Sequence, residues 1–372
     1  MAPSITSNVS PLKSENEDKK IIDFKSLHEE AIVPKEFIWP SEDLVEGSKE
    51  ELNVPIIDLE ATFNGDDVAL ASTAEIVREA CMKHGFFLVT NHGVDENLIN
   101  DTYQEFVSLF KLPLSRKLSA MGSPWGYSGA HASRFSTSLP WKEIFTFQYK
   151  HYDESETQIV DFFTSILGDD HQHAGLVLQK YCEAMKKLSG VILELLAISL
   201  GVDREHYKKF FEDAESMMRC NSYPPCSGLN VGTLGTGPHC DPTSVTLLFQ
   251  DQVGGLEAFV DNKWLAIRPQ PNTYVINIGD TFKALTNGIY KSCLHRVLAN
   301  KEMDRKTLAF FLCPKKDKTV RAPDNILGRQ ESRNYPDFTW SQLFEFTQKK
   351  HRADPNTLPD FVSWLNSNQS NN

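Results

Sequence analysis

With 372 residues, 40% of them hydrophobic, the chain can bury a large core, either as one β-rich domain or as two smaller ones. A formal net charge of −12 makes nucleic acid and anionic membrane surfaces poor partners, so any acidic substrate has to be met by a few local cations. No apolar leader opens the chain, the longest apolar stretch (Val191 to Leu200) is interrupted by Glu194, and seven dispersed cysteines without a Cys-x-x-Cys pair read as reduced thiols. A cytoplasmic protein without a membrane span is therefore expected.

In chain order, residues 1–50 are polar and charge-mixed, an N-terminal extension with one aromatic anchor, Phe37-Ile38-Trp39-Pro40. Residues 51–214 read as a helix-rich region packing on a core. It begins with a strand over Val54 to Leu59, an amphipathic helix near Thr73 to His84 and a strand from Phe86 to Thr90. A helix over Glu96 to Phe110, ended by Pro113, comes next; 122–175 reads as aromatic loops, and a long helix runs from Gly175 to Leu200, stopped by Gly201. From 215 to 316 the pattern changes to about eight short strands, with turn signals at Asp261-Asn262 and Asn287-Gly288. This predicts a mostly β chain with flanking helices, its strands forming a double-sheet jelly roll whose mouth can hold a site. Residues 317–372 read as a C-terminal helical segment, over Ser341 to His351, and a tail.

The chemistry is concentrated in His239-Cys240-Asp241, in His295 fifty-four positions after Asp241, and in Arg305-Lys306-Thr307 ten positions after His295. On a strand, residues i and i+2 point to one side, so His239 and Asp241 can reach one ion while Cys240 faces away. Two histidines and a carboxylate on one face of an ion leave its other positions open, as non-haem Fe(II) oxygenases require. Arg305 and Thr307 likewise share a face of the apolar strand Thr307 to Cys313, and an arginine fork beside a hydroxyl suits a carboxylate held bidentately. His-x-Asp alone is weak, arising by chance roughly once in two such chains. A second instance, His151-Tyr152-Asp153 with His206 downstream, has Ser216 where the arginine should stand and lies in a polar run, so it reads as a decoy. Gly232-x-x-Gly235-x-Gly237 leads into a strand rather than a helix, unlike a dinucleotide fingerprint, and His171-x-His173 reads as an exposed loop.

Together with Asn221-Ser222-Tyr223-Pro224-Pro225-Cys226, these residues make the chain resemble the plant 2-oxoglutarate and Fe(II)-dependent dioxygenases over roughly residues 50–350. Phe37-Ile38-Trp39-Pro40, Asn91-His92-Gly93, Leu139-Pro140-Trp141-Lys142-Glu143 and the run from Leu234 to Lys318 resemble, within them, the gibberellin 20-oxidase group. The resemblance implies a double-stranded β-helix core, His239, Asp241 and His295 as iron ligands, Arg305 as the grip on the distal carboxylate of 2-oxoglutarate, and Asn221, Tyr223 and Thr307 beside that cosubstrate. It implies O2 as oxidant, ascorbate as reductant, and stepwise oxidation of C-20 of a gibberellin precursor by a monomer. Such a substrate is mostly hydrocarbon with carboxylates, for which Trp141, Phe147, Lys142 and Arg134, with Phe135 and Phe145, are the candidate contacts. The alternatives are a dioxygenase of the same superfamily acting on another plant small molecule, such as a flavonoid, and a non-catalytic binding protein.

Overall fold

The computed structural model describes residues 24, 27, 33–43, 47–122, 125–129, 138–152, 157–226, 233–330, 332–349 and 354–369. Before residue 214 it contains β1 (Ile56–Asp58), α1 (Glu60–Asn64), α2 (Asp67–Lys83), β2 (Phe86–Thr90), α3 (Glu96–Lys111), α4 (Leu114–Ser119), β3 (Gly126–Ser128), β4 (Glu143–Lys150), α5 (Gln158–Leu167), α6 (Gln172–Leu200) and α7 (His206–Phe210). The sequence places the α2 start too late. Asp66 accepts hydrogen bonds from the backbone N–H groups of Val68 and Ala69, and this cap extends the helix toward its N-terminus. Gly201 stops α6 in the left-handed region, at φ 64°. The stretch expected as loops holds β4 and α5.

Eight strands follow: β5 (Glu215–Tyr223), β6 (Leu234–His239), β7 (Val245–Gln250), β8 (Leu256–Val260), β9 (Lys263–Ala266), β10 (Tyr274–Ile278), β11 (His295–Leu298) and β12 (Arg305–Leu312), with α8 (Asp280–Leu285) between β10 and β11. They divide between two facing sheets, with the β8–β9 hairpin wholly in one of them. The minor sheet runs β6-β11-β8-β9, and the major sheet β1-β2-β10-β7-β12-β5-β4-β3, which is the jelly-roll expectation met. Asp261 and Asn262 carry positive φ (51° and 62°) in the tight turn joining β8 to β9. Since β1 to β4 extend the major sheet, the division at 214/215 cuts along the chain without separating two cores.

The alternation of each strand sorts its side chains to two faces. Phe87, Phe145, Phe147, Met218, Cys220, Leu247 and Phe310 face outward and are covered by apolar residues of α2, α3, α5 and α6 in the main core. Leu88, Tyr223 and Val275 face inward, toward Leu256, Ala258 and Val297 of the minor sheet. β12 is paired along both edges, with β5 and with β7, so what its inner face presents is held rigidly. β13 (Thr319–Val320), α9 (Asp324–Leu327), β14 (Phe338–Thr339), α10 (Trp340–Gln348) and α11 (Thr357–Gln369) close the chain, α10 starting from a capping box of Thr339 and Gln342. All seven cysteines are buried and free, and among the described residues no helix is long and apolar enough to cross a membrane.

Candidate active site

β6 and β11 are antiparallel neighbours with His239 opposite His295, so the pairing itself brings the two imidazoles together, ring centroids 4.2 Å apart. Asp241 lies just past the end of β6 instead of on the strand, held there by the Asp280 backbone N–H, which donates to the Asp241 carbonyl at 2.8 Å. Its Oδ1 is 3.6 Å from His239 Nε2 and 3.7 Å from His295 Nε2, and the three ligand atoms all lie within 4.8 Å of one another. Among the described residues this is the one cluster able to hold a metal ion.

The surroundings fix each ligand atom. His239 Nδ1 lies 2.9 Å from the Gly237 carbonyl and His295 Nδ1 3.1 Å from the Cys293 carbonyl; as Nδ1–H donors both rings turn their Nε2 lone pairs to the centre. Thr246 Oγ1 (2.7 Å) and Asn277 Nδ2 (2.8 Å) donate to Asp241 Oδ2, leaving Oδ1 for the ion. Burial, then the neighbouring His295, holds His239 down at about 3, so it is neutral and ready to ligate. Burial pushes the Asp241 carboxyl up, but the two histidines and its two donors outweigh this and leave it below its ordinary range.

A second polar group lies on the inner face of β12 and its neighbours. Arg305 is 1% exposed, lies over the Tyr223 ring at 5.1 Å, and donates from Nη2 to Gln250 Oε1 at 3.0 Å. Its Nε and Nη1 and the Nε2 of Gln250 have no hydrogen-bond partner among the described residues. Buried donors idle beside a guanidinium are what a carboxylate would satisfy, so the residues present fit a diacid cosubstrate. Thr307 accepts from Asn221 Nδ2 at 3.0 Å directly opposite it in the β12–β5 ladder, and Tyr223 stands opposite Arg305.

The 2OG-Fe(II) oxygenase superfamily matches residues 214–314, and the family described as "non-haem dioxygenase in morphine synthesis N-terminal" matches 54–163. Gibberellin 20 oxidase 2 of Arabidopsis thaliana is 48% identical, over 98% of this chain and 99% of its own length. The chain belongs to the gibberellin 20 oxidases. Gibberellin 20 oxidase 2 of indica rice (Oryza sativa) is also 48% identical, over 91% of this chain and 87% of its own. Among solved structures, JOX2 in complex with 2OG, Fe and JA superposes with a TM-score of 0.76 at 28% identity, covering 92% of this chain and 98% of that one. A rice dioxygenase for auxin oxidation gives 0.69 at 27%, covering 82% and 99%. The chain is a 2-oxoglutarate-dependent dioxygenase using Fe(II).

In this gibberellin 20 oxidase the Leu139-Pro140-Trp141-Lys142-Glu143 motif divides three ways. Lys142 alone turns to the site, donating from Nζ to Thr236 Oγ1 at 2.9 Å and Asn221 Oδ1 at 3.5 Å, with its charge 5.7 Å from the Tyr223 ring centre. Trp141, expected at the substrate, is an anchor instead. It is 2% exposed, donates to the Pro224 carbonyl at 3.0 Å and meets Phe24 and Phe37 edge to face. Glu143 faces outward into a buried ion pair with Lys117 at 2.5 Å, and Tyr127 donates to the same oxygen at 2.5 Å.

Phe147, also expected at the substrate, faces away from the site. It packs on Phe162 and Phe163 of the outer layer, as Phe145 does on Phe110, because a position five residues from Lys142 falls on the opposite strand face. Arg134 and Phe135 lie outside the described residues. The decoy His151 is buried with Nε2 at 2.8 Å from Ser216 Oγ and held at about 3 by burial, a core histidine directly after β4. His173 sits exposed on α6, 3.0 Å from Glu105. The glycines before His239 exist for close packing: a Cβ at Gly237 would lie 2.0 Å from the Trp39 ring, and one at Gly235 would lie 2.7 Å from Tyr223. The sequence reading missed Gln250, Thr246, Asn277 and Thr236; the first three point inward by strand alternation, a signal readable only once the covered face is known.

Proposed function

We propose that this chain oxidises C-20 of gibberellin precursors stepwise, from methyl to alcohol to aldehyde, and then removes that carbon to leave a C19 lactone. The observation that carries this is an intact three-ligand set with a matching diacid grip in a chain 48% identical, nearly end to end, to a gibberellin 20 oxidase. Bound here, Fe(II) and 2-oxoglutarate supply O2 activation, with the diacid leaving as succinate and CO2.

The protein supplies position. His239 and His295 present their Nε2 atoms from paired strands, and Thr246 and Asn277 hold Asp241 so that one oxygen serves the ion. Arg305, supported by Gln250, grips the far carboxylate of 2-oxoglutarate, with Thr307 and Asn221 beside it. The inward apolar side chains of both sheets keep the centre dry, which strengthens every charge interaction within it. Lys142 offers a cation on the same wall. Ascorbate fits as the reductant that keeps the iron ferrous.

The centre is complete within one chain, which supports a monomeric enzyme, and seven free thiols support the reducing cytosol. The test is mass spectrometry of products after incubating the purified protein with the 20-methyl diacid, Fe(II), ascorbate and 2-oxoglutarate. Alcohol, aldehyde and C19 lactone are expected in succession. Hydroxylation only at C-2 or C-3, or turnover only of a flavonoid, overturns the C-20 assignment.

A further inference from the structure

Arg219 lies in the middle of β5, a strand paired on one edge with β4 and on the other with β12, yet it is only partly buried. With both edges covered, that exposure opens onto the hollow between the sheets. By alternation its side chain shares the inner face with Asn221 and Tyr223, while its chain neighbours Met218 and Cys220 lie in the outer core. The guanidinium is oriented there. Its Nε donates to Thr146 Oγ1 at 3.2 Å, Nη2 lies 3.7 Å from the sulfur of Met217, and the group sits 5.4 Å from the centre of the Phe311 ring.

Tyr223, on the rung of Arg305, lies four positions along the strand from Arg219, about 13 Å at the usual rise. Arg219 is therefore a second guanidinium on this face, apart from the one at Arg305. Around Arg219 the inner wall offers Ile144 and Leu248, both partly exposed, and Phe311. Apolar walls around one oriented cation match a hydrocarbon skeleton bearing carboxylates. In a chain of net charge −12, a dianion needs such a local cation to enter.

We propose that Arg219 binds a carboxylate of the precursor and so determines substrate specificity, an inference that rests on the gibberellin reading. The experiment measures equilibrium binding of the C20 diacid and of each of its two monomethyl esters to the anaerobic protein loaded with Fe(II) and 2-oxoglutarate, in wild type, Arg219→Met and Arg219→Lys. Wild type is expected to bind the diacid at least tenfold more tightly than one of the esters, about 1.4 kcal/mol. Arg219→Met should lose that preference and weaken diacid binding by the same factor, with 2-oxoglutarate affinity within twofold of wild type; Arg219→Lys should recover part of both.

An Arg219→Met protein that binds the diacid as wild type does overturns the proposal. So does one that binds it weakly but still discriminates the esters, since a residue that only shapes the wall would behave in that way. Wild type with no affinity for the diacid refutes the gibberellin reading itself, and this inference with it.

Discussion

Replacing Arg305 with Met should destroy 2-oxoglutarate binding while leaving the ligand-free protein nearly as stable as wild type. The guanidinium is 1% exposed, bonded once to Gln250, and has Nε and Nη1 unsatisfied among the described residues. Two hydrogen bonds to a charged carboxylate are worth about 1.5–3 kcal/mol each, so Arg305→Lys, which keeps one, should weaken 2-oxoglutarate by roughly 10–150-fold. Arg305→Met removes both bonds along with the charge. Without the diacid, however, it exchanges a buried cation with idle donors for an apolar chain of similar length, and the orphaned Gln250 oxygen offsets part of that relief. The net loss should be under about 1–2 kcal/mol, well short of the ~3–5 kcal/mol that breaking a satisfied buried pair costs. Thermal unfolding with Mn(II), with and without 2-oxoglutarate, reads both quantities. At a hundred times its Kd the diacid should stabilise wild type by about 2.7 kcal/mol and Arg305→Met by almost nothing. An Arg305→Met protein that is severely unstable alone, or one still fully stabilised by 2-oxoglutarate, would refute the assignment of those idle donors.

His239→Ala, Asp241→Ala and His295→Ala should each abolish iron retention and turnover, whereas His151→Ala should keep its iron but lose about 2–4 kcal/mol of stability, because a packed ring bonded to Ser216 leaves a cavity. Metal content and urea unfolding separate the two, and equal iron loss at His151 and His239 would mean the wrong His-x-Asp had been chosen. Within the Leu-Pro-Trp-Lys-Glu motif, Lys142→Met should raise the KM for the precursor alone; Glu143→Gln, which leaves the buried Lys117 without its charge partner, should cost about 3–5 kcal/mol with that KM unchanged. Phe147→Ala should also cost about 3–5 kcal/mol, and a shifted substrate KM there would contradict its place on the outer face. His151, held at about 3, takes up its proton only on unfolding, so stability should fall as pH drops below 6.5, by up to about 1.4 kcal/mol per unit from this group. His151→Asn should flatten the slope of the urea midpoint between pH 6 and pH 4; an unchanged slope would remove His151 as its source.

The ligand set was legible in the sequence because each of its signals is local: a His-x-Asp spacing, a histidine in a later strand, an Arg-x-Thr on one strand face. Strand number and the two-sheet arrangement followed from turn residues and alternation for the same reason. The stretch that holds β4 read as loop, so Lys142 and Phe147 both stood as candidate contacts, and nothing in the sequence showed which of them faces the site. That was decided by α3, α5 and α6 covering one side of β4, which burial of the outer apolar residues enforces. The donors behind Asp241 and Arg305 lay equally out of reach. Thr246, Asn277 and Gln250 carry no motif, and become partners of the site only because β10, β7 and β12 are neighbours in a fixed register. The sequence by itself therefore determined which atoms could ligate an ion, through residue type and short spacing. Only the tertiary structure decided which side chains face that ion and what holds them there, because strand order and the covered face arise from contacts between residues far apart in the chain.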